Sequence, residues 1–244
     1  MAGDEGINLR GFAERLGAVR GRIAAAAART GRDPGGVTLI GASKQVPAER
    51  LRDAANQGLV DFGENRVQEA SGKIDALADL RPGLTWHLIG HLQSNKAKAA
   101  AALFDWVQSV DSPELARELD RRAGEAGRRL RVLVEVNTSG EATKFGVPPE
   151  RALETLAGLA GLACLEPRGF MTVGPLSEDE RRVREAYAGL AQRLREAQRA
   201  FSAWRLDQLS MGMSGDFELA VEEGATIVRV GAALFGPRSA ARAQ

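Results

Sequence analysis

The stretch Leu209–Gly231 reads LSMGMSGDFELAVEEGATIVRVG. Its first residues close an apolar run, Leu206–Met211 (LDQLSM). Small residues follow, then a helical stretch, then the β-branched run Thr226–Val230 (TIVRV). Strand, helix and strand in this order form the unit of a parallel sheet. Upstream, six more short runs alternate with longer helical stretches: Val37–Ala42 (VTLIGA), Leu59–Phe62 (LVDF), Thr85–Ile89 (TWHLI), Trp106–Val110 (WVQSV), Leu130–Val136 (LRVLVEV) and Gly169–Val173 (GFMTV). Eight candidate strands in 244 residues leave about 30 residues per unit. That spacing predicts an α/β chain closed into a single (β/α)8 TIM barrel, not an open doubly-wound sheet.

The helical stretches carry start and stop signals. Leu9–Thr30 is rich in Ala, Leu, Arg and Ile, with Gly31 at a C′ position. It precedes the first strand, so it is an addition covering the bottom or side of the barrel. Ser112 and Pro113 open a helix that Gly127 closes. Pro148 and Pro149 open one carrying Leu153, Leu156 and Ala160. Ser177 and Glu180 read as a capping box ahead of a long helix through Phe201. The expected organisation is one domain: 1–36 an N-terminal helix packed on the barrel, 37–236 the barrel, and 237–244 a short tail.

Composition narrows the function. There are 33 basic and 32 acidic residues, a net charge of +1, which argues against a nucleic-acid binder. The single cysteine, Cys164, rules out an internal disulfide and fits a reducing compartment. Met1–Arg10 has two acids and no apolar core, unlike a secretory signal, and no window reaches about 18 apolar residues. A cytoplasmic protein without membrane contact is expected. The lack of a long exposed apolar stripe leans toward a monomer.

In a barrel, ligands sit where strands end. Alternation along Val37–Lys44 sets Val37 and Leu39 on one face and Lys44 on the other, so if the first face packs on the helices Lys44 points to the catalytic mouth. A desolvated lysine there is an amine nucleophile toward an aldehyde; otherwise it is a solvated strand-end lysine. In Thr226–Gly231, alternation turns Arg229 inward, where it needs an anion. That anion is a ligand group or a barrel carboxylate, Glu64 or Glu135. Leu209–Glu218 passes from strand through Ser210, Gly212, Ser214 and Gly215 to a helix, the make-up of a phosphate cradle. The plainer alternative makes Ser214 a helix N-cap. Asn65, ending Phe62–Asn65, reaches a ligand's polar edge or caps a helix. His87 and His91 flank Gly90 and cannot share a helix face, so no zinc site is expected. No GxSxG, Walker A, HExxH or GxGxxG motif occurs. A mouth lysine, an inward arginine and a phosphate cradle describe a phosphorylated aldehyde, with pyridoxal 5′-phosphate and a sugar phosphate both fitting.

Six stretches then carry a resemblance: IGASKQVP (Ile40–Pro47), DFGENRVQE (Asp61–Glu69), WHLIGHLQSNKAK (Trp86–Lys98), GFMTVGP (Gly169–Pro175), LSMGMSGDFELAVEEGAT (Leu209–Thr226) and RVGAALFG (Arg229–Gly236). In this order they resemble the pyridoxal phosphate homeostasis proteins, which look like the barrel domain of alanine racemase standing alone. The resemblance implies an alanine-racemase-type barrel with pyridoxal 5′-phosphate on Lys44. It implies phosphate contacts from Ser210, Ser214, Arg229 and Gly231, with Asn65 and Met211 near the ring and Gly212 in the same set. Ala232 departs from relatives that often carry a hydroxyl there. The family binds the cofactor and buffers or delivers it, with apo-enzymes as the recipients to expect. The alternatives are an amino-acid racemase or decarboxylase, and a Schiff-base aldolase on a sugar phosphate. Alanine racemase uses a tyrosine from an extra C-terminal domain. Nothing after Pro237 resembles that domain, and the only tyrosine, Tyr187, reads as lying inside a helix far from any strand end. Net chemistry on amino acids is therefore not expected.

Overall fold

The structure, a computed structural model, describes residues 11–141 and 143–236. Eight parallel strands follow one another around a closed barrel: β1 (Thr38–Ala42), β2 (Asp61–Glu64), β3 (Thr85–Leu88), β4 (Trp106–Val110), β5 (Leu130–Glu135), β6 (Leu165–Met171), β7 (Gln208–Ser210) and β8 (Ile227–Val230). Closure comes from β1 against β8, with Ile40 opposite Arg229 and Gly41 opposite Val230. Helices α2 (Ala48–Asn56), α3 (Val67–Ala76), α4 (Ala97–Leu103), α5 (Pro113–Glu125), α6 (Ala152–Ala157), α7 (Glu180–Ala200) and α8 (Phe217–Glu222) fill the crossovers. A last turn, α9 (Ala232–Phe235), follows β8.

Strand alternation divides the core in two. Ile40, Trp106, Leu133, Met171 and Ile227 fill the barrel interior. Residues of opposite parity, such as Phe62, Val132, Val134, Val228 and Val230, pack outward against the helices. Leu39 joins the outer layer and Ile40 the inner one, the register that the Lys44 reading requires.

The added helix, α1 (Phe12–Arg29), buries a stripe of Leu16, Val19, Ile23, Ala26 and Ala27. It lies on the side of the barrel. Arg22 pairs with Glu218 and Arg29 with Glu222 on α8, at 2.7 and 2.5 Å, and Arg15 Nε donates to Leu234 O on α9 at 2.6 Å. Residues 1–10 and the tail from Pro237 fall outside the described residues.

Some boundaries differ from the expected ones. β6 begins at Leu165, four residues before the run at Gly169, because Pro167 reads as a strand breaker. Pairing with β5 passes from Val132–Pro167 to Leu133–Gly169, so Arg168 is an extra residue and the proline sits beside a bulge. Gly169 takes φ +142°, and a Cβ there would lie 2.0 Å from Gln208 O. Asp179, not Ser177, caps α7: its carboxylate accepts the Arg181 N–H, while Ser177 Oγ accepts that of Asp179. α6 stops at Ala157, so Ala160 is exposed in the turn that follows.

Candidate functional site

Lys44 sits just past β1 on a turn that is held from below. Its neighbour Gln45 has φ +62°, a strained value for a side-chain-bearing residue. The Gln45 N–H donates to Glu69 Oε1 at 2.6 Å, and the Lys73 ammonium donates to Ser43 O, Glu64 Oε1 and Glu69 Oε1, each at 2.7 Å. Ser43 Oγ donates to Glu64 Oε1 at 2.6 Å. Burial pushes the Glu64 carboxyl up, and the Lys73 and Ser43 hydrogen bonds oppose it. Burial also raises Glu69, but the bonds from Lys73 and Gln45 outweigh it and leave that carboxyl below its ordinary value. Lys73 is thus wholly absorbed as a clamp. The Lys44 amine faces a cavity of about 400 Å³ and forms no hydrogen bond or ion pair among the described residues.

Across that cavity lie Asn65, Ser214, Gly215, Arg229, Gly231 and Ala232, with Val46, Ile89, Val173 and Phe235 as apolar wall. Asn65 is set there by Gly90, where a Cβ would lie 2.5 Å from Asn65 O. Ser214 does not cap the helix that follows it, α8, whose N-cap is Asp216. The Ser214 Oγ accepts the N–H groups of Gly231 and Ala233 at 3.2 and 3.5 Å, tying the loop after β7 to the end of β8. The N–H groups of Ser214, Gly215 and Ala232 make no hydrogen bond among the described residues. Hydroxyl, free amides and a glycine make a cradle for a multiply charged oxyanion.

Other expected residues are placed differently. Arg229 points inward, but neither carboxylate claims it in an ion pair: Glu64 belongs to Lys73, and Glu135 makes no ion pair with it. Its guanidinium reaches across the barrel, donating to Ser210 Oγ and Thr172 O, each at 2.6 Å. It therefore lies below the cradle instead of in it. Burial lowers its pKa, opposed by Tyr187, Glu135 and Asp216. Ser210 is fully buried and spends its hydroxyl on Arg229 and Gln108, so it leaves the pocket wall. Met211 turns outward into the helix-facing core, because alternation gives Ser210 the inner side. Gly212 packs on α8, where a Cβ would lie 2.6 Å from Ala220 Cβ.

Two groups escaped the sequence reading. Tyr187 is not remote from strand ends: its hydroxyl donates to Asp216 at 2.9 Å and lies against Gly174, just after β6. Helix α7 is long enough to carry it there, a packing fact with no local signal. Lys73 did leave a signal, an i,i+4 pairing with Glu69 on a helix. His87 lies inside the barrel beside Gln108, whereas His91 is exposed at the rim, stacked on Phe145 with centroids 3.9 Å apart.

The model of the alanine racemase N-terminal domain matches residues 15–239. A pyridoxal phosphate homeostasis protein of Aquifex aeolicus is 45% identical over 225 residues, 92% of this chain and 97% of the relative. The chain belongs to the pyridoxal phosphate homeostasis protein family. The family member of Escherichia coli K12 is 40% identical, over 93% of this chain and 97% of its own length. PipY of Synechococcus elongatus, solved with PLP bound, is 42% identical with a TM-score of 0.82 over 93% of this chain and all of that one. An alanine racemase of Clostridium difficile, 16% identical, shares the fold with a TM-score of 0.69 over 96% of this chain and 58% of its own.

Proposed function

We propose that this chain binds pyridoxal 5′-phosphate and buffers or delivers it, holding it as a Schiff base on Lys44. One observation carries the reading: an amine and a set of N–H groups, none of them hydrogen-bonded among the described residues, face each other across one cavity. The residues fit the cofactor. Bound there, it would supply an aldehyde for an amine and a phosphate for hydrogen-bond donors. Lys44 offers the amine, Ser214, Gly215, Gly231 and Ala232 take the phosphate, and Asn65 lies beside the ring. Arg229 meets the ligand from beneath, because its guanidinium sits at the level of Ser210 and Thr172.

The same wall supports a carrier in preference to a catalyst. Racemisation needs a proton donor or acceptor on each face of the α-carbon. Of the residues lining the cavity, Lys44 alone carries a side-chain group of acid–base type, since arginine stays charged. Tyr187 is buried, tied to Asp216 and pushed above the ordinary tyrosine range. Mixing the purified protein with pyridoxal phosphate should give a visible absorption band from a lysine-bound cofactor, and assays across amino acids should find no turnover. A kcat in the usual enzyme range of about 1–1000 per second, lost in Lys44→Ala, would make it a racemase or decarboxylase instead. No band, with turnover of a sugar phosphate, would favour the aldolase.

A further inference from the structure

Beneath the cavity a single line of hydrogen bonds crosses the barrel. Arg229 Nη1 meets Ser210 Oγ at 2.6 Å, Ser210 Oγ meets Gln108 Oε1 at 2.6 Å, Gln108 Nε2 meets His87 Nδ1 at 3.0 Å, and His87 Nε2 meets Asp61 Oδ1 at 3.0 Å. It runs from β8 through β7, β4 and β3 to the first residue of β2, at the opposite end of the barrel. Ser210, Gln108, His87 and Arg229 are all buried. Trp106 stacks on the His87 ring with centroids 5.7 Å apart, which holds its plane.

The two ends of this line force one polarity. A guanidinium can only donate, so Ser210 Oγ accepts from it and gives its own hydrogen to Gln108 Oε1. That orients the Gln108 amide, whose NH2 then faces His87 and requires a lone pair on Nδ1. From the far end, the Asp61 carboxylate can only accept, which places the His87 hydrogen on Nε2 and leaves Nδ1 bare. Both ends demand the same histidine tautomer and the same amide orientation, and no member has a second arrangement that satisfies its neighbours while His87 is neutral.

We propose that Ser210, Gln108 and His87 are positioning residues that hold the Arg229 guanidinium in place under the ligand. The inference rests on the reading that the cavity takes pyridoxal 5′-phosphate. A buried arginine head without a carboxylate in salt-bridge contact is free to swing unless its donors are pinned. Thr172 O pins one nitrogen and the relay pins the other. Each member acts only through Arg229, since none of the three lines the cavity.

The test is a double-mutant cycle on pyridoxal phosphate affinity, read by absorbance titration. Gln108→Leu should weaken binding about ten-fold with Arg229 present and change nothing further in Arg229→Gln, because coupled residues are non-additive. His87→Leu should repeat that loss, whereas His87→Asn, whose amide oxygen replaces the Nδ1 acceptor, should restore it. A folding defect would not give this pattern. Losses that multiply in the double variant, or an unchanged affinity in Gln108→Leu, would overturn the relay. A second readout needs no ligand: ring nitrogen shifts of His87 in the free protein should show hydrogen on Nε2, and hydrogen on Nδ1 would overturn the relay by itself. Wild-type protein that binds no pyridoxal phosphate would instead overturn the functional reading, with the His87 tautomer still deciding the relay.

Discussion

Glu135 projects into the barrel from the end of β5, buried, with Oε2 lacking any hydrogen-bond partner among the described residues. Burial first, and Asp111 second, push its carboxyl up to about 7, against the pull of Arg229. The folded chain thus holds this proton more tightly than the unfolded chain. Its stabilising contribution is complete below the ordinary carboxylate value and fades as pH rises through about 7. Glu135→Gln should therefore match wild type in urea unfolding near about pH 4.5 and gain up to ~3 kcal/mol near about pH 8. An equal difference at both values would refute this account of Glu135. Lys73→Met leaves Glu64 buried without its cation and frees the Gln45 turn, so it should cost about 3–5 kcal/mol in the same experiment; a loss below about 1 kcal/mol would show that the clamp is dispensable. Side-chain direction at Arg229 was legible, because strand alternation alone sets it; Lys44 lies past the end of β1, where the clamped Gln45 turn also fixes its direction. Where the Arg229 head ends was not, since that depends on Ser210 and Thr172 of two other strands.

Strands announce themselves through β-branched runs, and β4 (Trp106–Val110) has the bounds that its sequence implies. β6 does not, since a proline in mid-run hides half of it until the bulge at Arg168 is seen. The cradle is legible for a different reason: small residues between a strand and a helix have few other uses. Its inner membership was overstated, because alternation in β7 sends Met211 outward and buries Ser210. The cradle makes a prediction that separates it from Arg229. Ser214→Ala should weaken pyridoxal phosphate about ten-fold or more, given the usual 1.5–3 kcal/mol of a charged hydrogen bond. Pyridoxal, which lacks the phosphate, should bind the variant as it binds wild type. Equal loss for both ligands would place the phosphate elsewhere.

At the scale of the molecule, eight units in one closed sheet bring the ends of β1, β7 and β8 to a common mouth. Lys44 and the cradle come from a single chain, so the proposed site draws all its residues from one copy. The barrel count was legible from spacing, while Tyr187 was not, because only the closed fold brings α7 under the loop after β6. Lys73 is committed to the clamp and Lys144 to Glu141 and Gly174 O, which leaves Lys44 as the lysine proposed to capture the cofactor covalently. Borohydride reduction of the protein mixed with pyridoxal phosphate, followed by peptide mass spectrometry, tests this capture directly. One modified peptide is expected, carrying the pyridoxyl group on Lys44. Modification centred on Lys96 or Lys144, with Lys44 unlabelled, would contradict it.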